Sequence, residues 1–281
     1  SLQLDLGYPK RLGNAFNANW RTKKWNLFTN TGFRYNETPG NSFYDTNYEN
    51  PTIENINRVI ESRNFDRLSR SLFISFGAEY YLTKNSSIIG NIIFNGGNDD
   101  DVNTNVIDRF EPNGNLKLAS TRSENESEDE ERIQYTLDYI NKFNDSGKKL
   151  SVNLQYSTEI EDIINDIPEI NNITNIREEL ERVIENQNED RALLQIDYVN
   201  PVGENIQYEV GYRGNYRDIF NSFFLEETLG SNPTTTLLDN DFNYKEFVNA
   251  AYFQYGQKFI NISLLAGLRY EYTSIEIEQQ T

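Results

Sequence analysis

Cysteine, histidine and methionine do not occur in this 281-residue sequence. Without cysteine there are no disulfides, thiolate metal sites or cysteine nucleophiles. Without histidine the commonest general acid/base and metal ligand near neutral pH is missing. Without methionine there is no translation start, so the chain reads as an excised segment, and its lack of a secretion signal says nothing about destination. No apolar run approaches the roughly 18 to 20 residues of a transmembrane helix, so a membrane-spanning structure would have to be a β-barrel. Basic residues are the scarcer charge, with 26 Lys and Arg against 44 Asp and Glu and a net charge of −18. That balance argues against nucleic acid, whose binding rests on Lys and Arg neutralising phosphates.

What is present points to strands. Hydrophobic residues make up only 37%, yet 18 Tyr and 17 Phe raise the aromatic share to 13%. Low hydrophobicity with high charge suggests disorder only where aromatic and β-branched residues are few, and here both abound. Apolar and polar residues alternate with period two in segments of about ten residues, as transmembrane strands require. Phe16, Ala18 and Trp20 alternate with Asn17, Asn19 and Arg21. After Thr22-Lys23-Lys24 the pattern resumes as Trp25, Leu27, Thr29, Thr31 and Phe33 against Asn26, Asn30 and Arg34. Further hairpins follow around Lys84-Asn85-Ser86, Asn144 to Lys148, Pro201 to Glu204 and Lys258 to Asn261. With a stretch at Leu2, Leu4 and Leu6, the total is about eleven strands in one domain over residues 1–281.

The links between hairpins differ from the turns within them. Asn36 to Ser69, Gly96 to Glu131, Glu161 to Asp190 and Phe220 to Asn243 are long, polar and acidic. Short and long links alternate, as periplasmic turns and extracellular loops do in outer-membrane barrels. The expectation is an all-β, antiparallel up-and-down transmembrane barrel wall, with many strands continuing above the membrane into the long links. Thr174 to Asn188 has helical spacing and strong helix formers, and predicts a short loop helix. Ile53 to Ile60 fits a helix or a strand extension about equally.

Four aromatics beside tight turns, Trp20, Trp25, Tyr80 and Tyr198, suit an interfacial belt; the alternative is aromatic packing across a soluble hairpin. Charged residues on the polar face, Arg21, Arg34, Glu79, Asp138, Glu209, Arg213, Arg269 and Glu271, are expected to face the lumen, where they pair across strands and contact a plug. Asn98 to Asn103 has the oxygen-rich composition of a calcium loop but not its spacing, and reads as a solvated acidic loop, as does Glu124 to Glu131. At most, such loops bind divalent ions that bridge surface lipopolysaccharide. No nucleophile elbow, phosphate loop or metal triad is present, so no catalytic, cofactor or metal-binding residues are assigned and the chain is not read as an enzyme.

Gly7-Tyr8-Pro9-Lys10 and Asn14-Ala15-Phe16-Asn17-Ala18-Asn19-Trp20-Arg21-Thr22-Lys23-Lys24-Trp25-Asn26-Leu27-Phe28 resemble the early barrel of TonB-dependent outer-membrane receptors of the Bacteroidota type. Asn249-Ala250-Ala251-Tyr252-Phe253-Gln254-Tyr255 and Leu265 to Thr273 are similar to a mid-barrel hairpin of the same proteins. The resemblance implies a barrel of about 22 strands around an N-terminal plug. It also implies energised uptake of a bulky nutrient, with outer-membrane lipid, lipopolysaccharide, plug, TonB and a surface lipoprotein as partners. No plug, TonB-binding segment or closing strand appears in these residues. A passive porin and a soluble β-rich surface binding protein are the alternatives.

Overall fold

The computed structural model describes residues 1–52 and 54–280. Among the described residues twelve strands form one antiparallel sheet: β1 (Leu2–Gly7), β2 (Arg11–Arg21), β3 (Trp25–Glu37), β4 (Gly40–Asn47), β5 (Arg58–Tyr81), β6 (Ser86–Phe110), β7 (Leu116–Lys142), β8 (Lys149–Asn171), β9 (Ile176–Val202), β10 (Ile206–Leu229), β11 (Thr235–Lys258) and β12 (Ser263–Gln280). Each strand lies beside its neighbours in sequence, except that β4 pairs only with β5. The sheet is open, with β1 and β12 at its edges.

β3 and β4 are one strand interrupted by a proline. Glu37 pairs with Leu68 and Gly40 with Phe65, so the register runs on unchanged across Thr38 and Pro39. Thr38 still donates its backbone N–H to Arg67, at 2.8 Å. The wall therefore has eleven full strands, the number expected from the alternation.

The long links are where the expectation needs correction. Most of their residues are strand, and apart from residues 48–57 the far ends of the hairpins close in turns of three to five residues. β6 and β7, of 25 and 27 residues, are joined only by residues 111–115. At ~3.3 Å per residue such strands reach about 80 to 90 Å, against an apolar band of about 25 Å in an outer-membrane barrel. The acidic segments are a second storey of the sheet, as the continuation of strands above the membrane anticipated, and leave little loop beyond it.

The helix expected over Thr174–Asn188 is likewise absent: from Ile176 on this segment is β9, paired to β8 on one side and β10 on the other. Helix propensity is a weak preference, and two flanking ladders satisfy the backbone donors and acceptors that a helix would have used. Val183 faces Asn165 and Leu225, while its neighbour Ile184 faces Ile164 and Phe224 on the other side of the sheet. Of Ile53–Ile60, Ile53 lies outside the described residues. Asn55, at a positive φ of 61°, donates its backbone N–H to Thr52, Thr52 donates to Ile56, and β5 opens at Arg58.

Candidate functional site: two faces of one wall

Residues directly opposite in an antiparallel pair point to the same face, so the register assigns every side chain to one of two faces. On the first face, Tyr80, Ile88, Tyr139, Val152, Ile196, Tyr212, Ala251 and Tyr270 form one unbroken row from β5 to β12. The rows above it are equally apolar, including Leu137, Leu154 and Leu194, then Phe76, Ile92 and Tyr135. These side chains have no core to enter: Phe76 is 52% exposed and Leu137 46%. The polar intrusion at Asn249 is answered within the sheet, where it accepts a hydrogen bond from Tyr212 Oη at 2.5 Å.

The upper limit of this band is marked by charge. Asp190, Asp218, Lys245 and Glu276 form one row on the same face, and Arg70, Asn98, Asp129 and Asp162 another. Tyr156 and Tyr216 sit just beneath and donate upward from their hydroxyls to Asp190 and Asp218, at 2.7 and 2.8 Å. Their rings stay on the apolar side and their polar ends reach the charged side.

At the lower limit, beside the tight turns, lie the four aromatics singled out from the sequence, all on the apolar face. Trp25 and Tyr80 are register partners with ring centroids 4.5 Å apart. Trp20 stands opposite Leu27. Tyr198 meets Phe143 edge-on at 6.3 Å, with the Lys148 ammonium 5.8 Å from its ring.

All eight charged residues expected to line the lumen lie on the second face. Arg21 opposes Asn26, and a single row then runs through Glu79, Ile89, Asp138, Asn153, Gln195, Arg213, Ala250 and Glu271. Arg34 lies above this row opposite Ser71, Glu209 below it opposite Gln254, and Arg269 opposite Tyr252. The expected pairing across strands within this set is not what holds them. Among the described residues its one ion pair is Arg269–Glu271 at 2.6 Å, along β12. Glu79 instead accepts from Tyr81 Oη at 2.8 Å, Asp138 from Asn153 Nδ2 at 2.6 Å, and the Arg21 guanidinium lies 5.3 Å from the Tyr81 ring centre. Neutral polar neighbours do the work because few strands bring opposite charges into register here.

Cross-strand ion pairs are concentrated in the second storey. Arg67 meets Asp101 at 3.4 Å, Arg132 meets Glu159 at 3.7 Å and Arg182 meets Asp166 at 3.1 Å, each with its register partner. The sequence offered no reason to single out Glu189, yet its side chain is only 4% exposed. It binds Arg191 through two 2.6 Å hydrogen bonds and also accepts from Arg217 on β10. The two guanidiniums hold its carboxyl below the ordinary carboxylate range despite its burial.

Neither acidic run is a loop. Asn98 to Asn103 lies within β6, where Asp99 and Asp101 go to one face and Asp100 to the other, toward Arg70 at 3.2 Å. Alternation thus separates the oxygens that a calcium site would have to gather. Glu124 to Glu131 is divided in the same way within β7. Glu179, Glu181 and Glu227, near the far end of the sheet, do bring three carboxylates within 4.8 Å of one another. Arg122 already pairs with Glu181 at 2.5 Å, and the hydrogen bond to Glu227 raises Glu179 to about 7, so a proton and an arginine offset much of the charge.

The model of the outer membrane protein beta-barrel family matches residues 141–281. No curated protein and no solved structure matches the chain. The match runs from the end of β7 through β12, strands whose two-faced alternation is the same as that of the strands before them. A bilayer-height apolar band on one face is what such a protein presents to lipid, and it leaves the soluble alternative without support. The chain belongs to the outer membrane protein beta-barrel family, and forms an antiparallel barrel wall of the bacterial outer membrane.

Proposed function

We propose that this wall is part of a TonB-dependent uptake receptor of the Bacteroidota type, which carries a bulky nutrient inward across the outer membrane and has no catalytic role. The supporting observation is the unclosed path of eleven strands, with β3 and β4 taken as one. Small barrels close at about eight strands around a side-chain-filled interior. Here both edge strands run toward the second storey, so antiparallel closure calls for an odd number of additional strands and a barrel of at least 12. Barrels of about 22 strands have a lumen wide enough to need a plug. In this reading Trp20, Trp25, Tyr80 and Tyr198 sit at the periplasmic lipid interface, with lipid and lipopolysaccharide around the apolar face. Arg21, Arg34, Glu79, Asp138, Glu209, Arg213, Arg269 and Glu271 face the lumen and the plug. TonB acts through the plug, and a surface lipoprotein covers the outer mouth.

Single-channel recording in planar bilayers tests this. The protein carrying this wall should be silent until urea displaces the plug, and conduct afterwards. Steady conductance without urea would instead support the passive porin. Loss of nutrient accumulation on removing TonB from the cell is the second expected result.

A further inference from the structure

Above the membrane band, the lumen-side face changes character from one strand group to the next. On β6 to β8 it is acidic: Asp99 faces Glu128, and Glu130 faces Glu161. Within this group Arg67 reaches Asp101 and Arg132 reaches Glu159. Burial between the strands, and next the facing carboxylates, raise Glu126, Glu128 and Glu130 above the ordinary range, Glu128 to about 7.

On β10 to β12 the same face carries apolar side chains among the neutral amides Asn221, Asn240 and Gln279, above the Arg217 and Glu246 pair. Ile219, Tyr244 and Ile277 form one register row, Phe242 lies diagonal to it, and Phe223 lies diagonal to Phe242 in the row beyond. Lipid contact accounts for apolar side chains on the other face of the wall and lower down, but these lie above the band and on the side away from it. Aromatic and aliphatic side chains clustered on a face turned to water mark an interaction surface. The two zones meet at two pairs, Glu189 on β9 directly opposite Ile219 on β10 and Glu185 opposite Phe223.

We propose that this surface docks a cationic amphipathic peptide, with its apolar side chains on β10 to β12 and its Lys or Arg side chains against the carboxylates of β6 to β9. Charge complementarity selects this occupant: an acidic peptide would be repelled from half the surface, and a polar cationic one would leave the apolar half uncovered. Four strand spacings separate β7 from β11, about 19 Å, room for one helix of about 10 to 12 Å diameter or one extended segment. The inference rests on the uptake reading and names its ligand class.

The test is binding of a fluorescent Leu/Lys amphipathic peptide to the full chain in zwitterionic nanodiscs, with empty nanodiscs subtracted. A Leu/Glu peptide of the same pattern and a Lys/Ser peptide are the comparisons. The Leu/Lys peptide should bind at least about tenfold more tightly than either, a difference of about 1.4 kcal/mol. The triple variant Glu126→Gln, Glu128→Gln, Glu130→Gln should lose about that factor, as should Phe223→Ser, whereas Asp129→Asn with Asp162→Asn, on the lipid-side face, should lose none. Heat-modifiable migration confirms that each variant is folded, and should Phe223→Ser fail to fold, the Lys/Ser comparison tests the apolar half. Equal binding of the Leu/Glu or Lys/Ser peptide, or an equal loss in the Asp129 and Asp162 variant, overturns the proposal. Nanodisc binding needs neither plug nor TonB, so such a result removes the ligand class, and the conductance test still decides the uptake reading.

Discussion

The ring of Tyr252 lies over Gly211, its register partner on β10, and its hydroxyl donates to Asp197 one strand further on. A Cβ at Gly211 would overlap that ring. Phe28 covers Gly77 and Phe65 covers Gly40 in the same way, each pair in register and each on the lumen-side face. The aromatic ring supplies the packing that the glycine lacks, a device that pins register in sheets. Gly211→Ala should displace Tyr252, break its bond to Asp197 and cost about 1 to 3 kcal/mol. Gly90→Ala, where a Cβ meets nothing within 4 Å, should leave stability unchanged. Urea titration followed by heat-modifiable gel migration compares the two.

Pro39 is placed where its missing N–H costs nothing. Glu37 points its N–H toward Lys10, at 2.9 Å, and Thr38 points the other way, to Arg67. By alternation the donor at position 39 would face the side where β4 has no partner. Proline is accepted on such an edge and hinders pairing with other chains. Pro39→Thr should therefore change stability by less than about 0.5 kcal/mol while increasing aggregation in low detergent. Asp66→Pro, across the ladder from it and flanked by β4 and β6, removes an inward donor and should cost more than about 1 kcal/mol. Equal effects of the two would contradict this placement.

Period two made the wall legible because one face is apolar and the other polar from β2 to β12, and each hairpin repeats the signal. It failed where both faces are polar. In Glu178-Glu179-Leu180-Glu181-Arg182 alternation carries no contrast, local propensity reads as helix, and only the flanking β8 and β10 make it a strand. The same loss of contrast made Gly96 to Glu131 read as a loop. Parity alone puts the eight charged residues on one face, but it does not give their partners, because register across strands is a long-range property. Glu189 was invisible for that reason: Arg217, which completes its site, lies 28 residues away on the next strand.

The second storey should respond to pH in a definite direction. Glu128 is raised from 4.5 to about 7 by burial first, then by Glu161 and Asp99. Between those values the folded chain holds a proton that the unfolded chain has released, so stability is greatest at the acid end of this window. It falls as pH rises from about 4.5 to about 7, and the loss is complete above that. Unfolding at pH 5 and pH 8 should show the chain more resistant at pH 5. Glu128→Gln should reduce the difference by raising stability at pH 8. A larger loss of stability in that variant at pH 8 would mean that the ionised carboxylate is favourable where it stands.

Two residues on one strand locate the top of the membrane band. Leu154 and Ile164 both lie on the apolar face of β8 and are equally exposed, at 43% each. Their difference is height: Leu154 stands in a row with Leu137 and Leu194, whereas Ile164 is above Asp162 and next to Ser127. In lipid an arginine on this face costs about 2 to 4 kcal/mol near the midplane and falls toward zero at the interface. Leu154→Arg should therefore impair folding into vesicles by that amount, and Ile164→Arg should have almost no effect. In water alone both substitutions should be nearly neutral, since neither side chain is in a core. Similar costs at the two positions would place the upper boundary above Ile164, and the Asp190 and Asp218 row would then lie within the lipid.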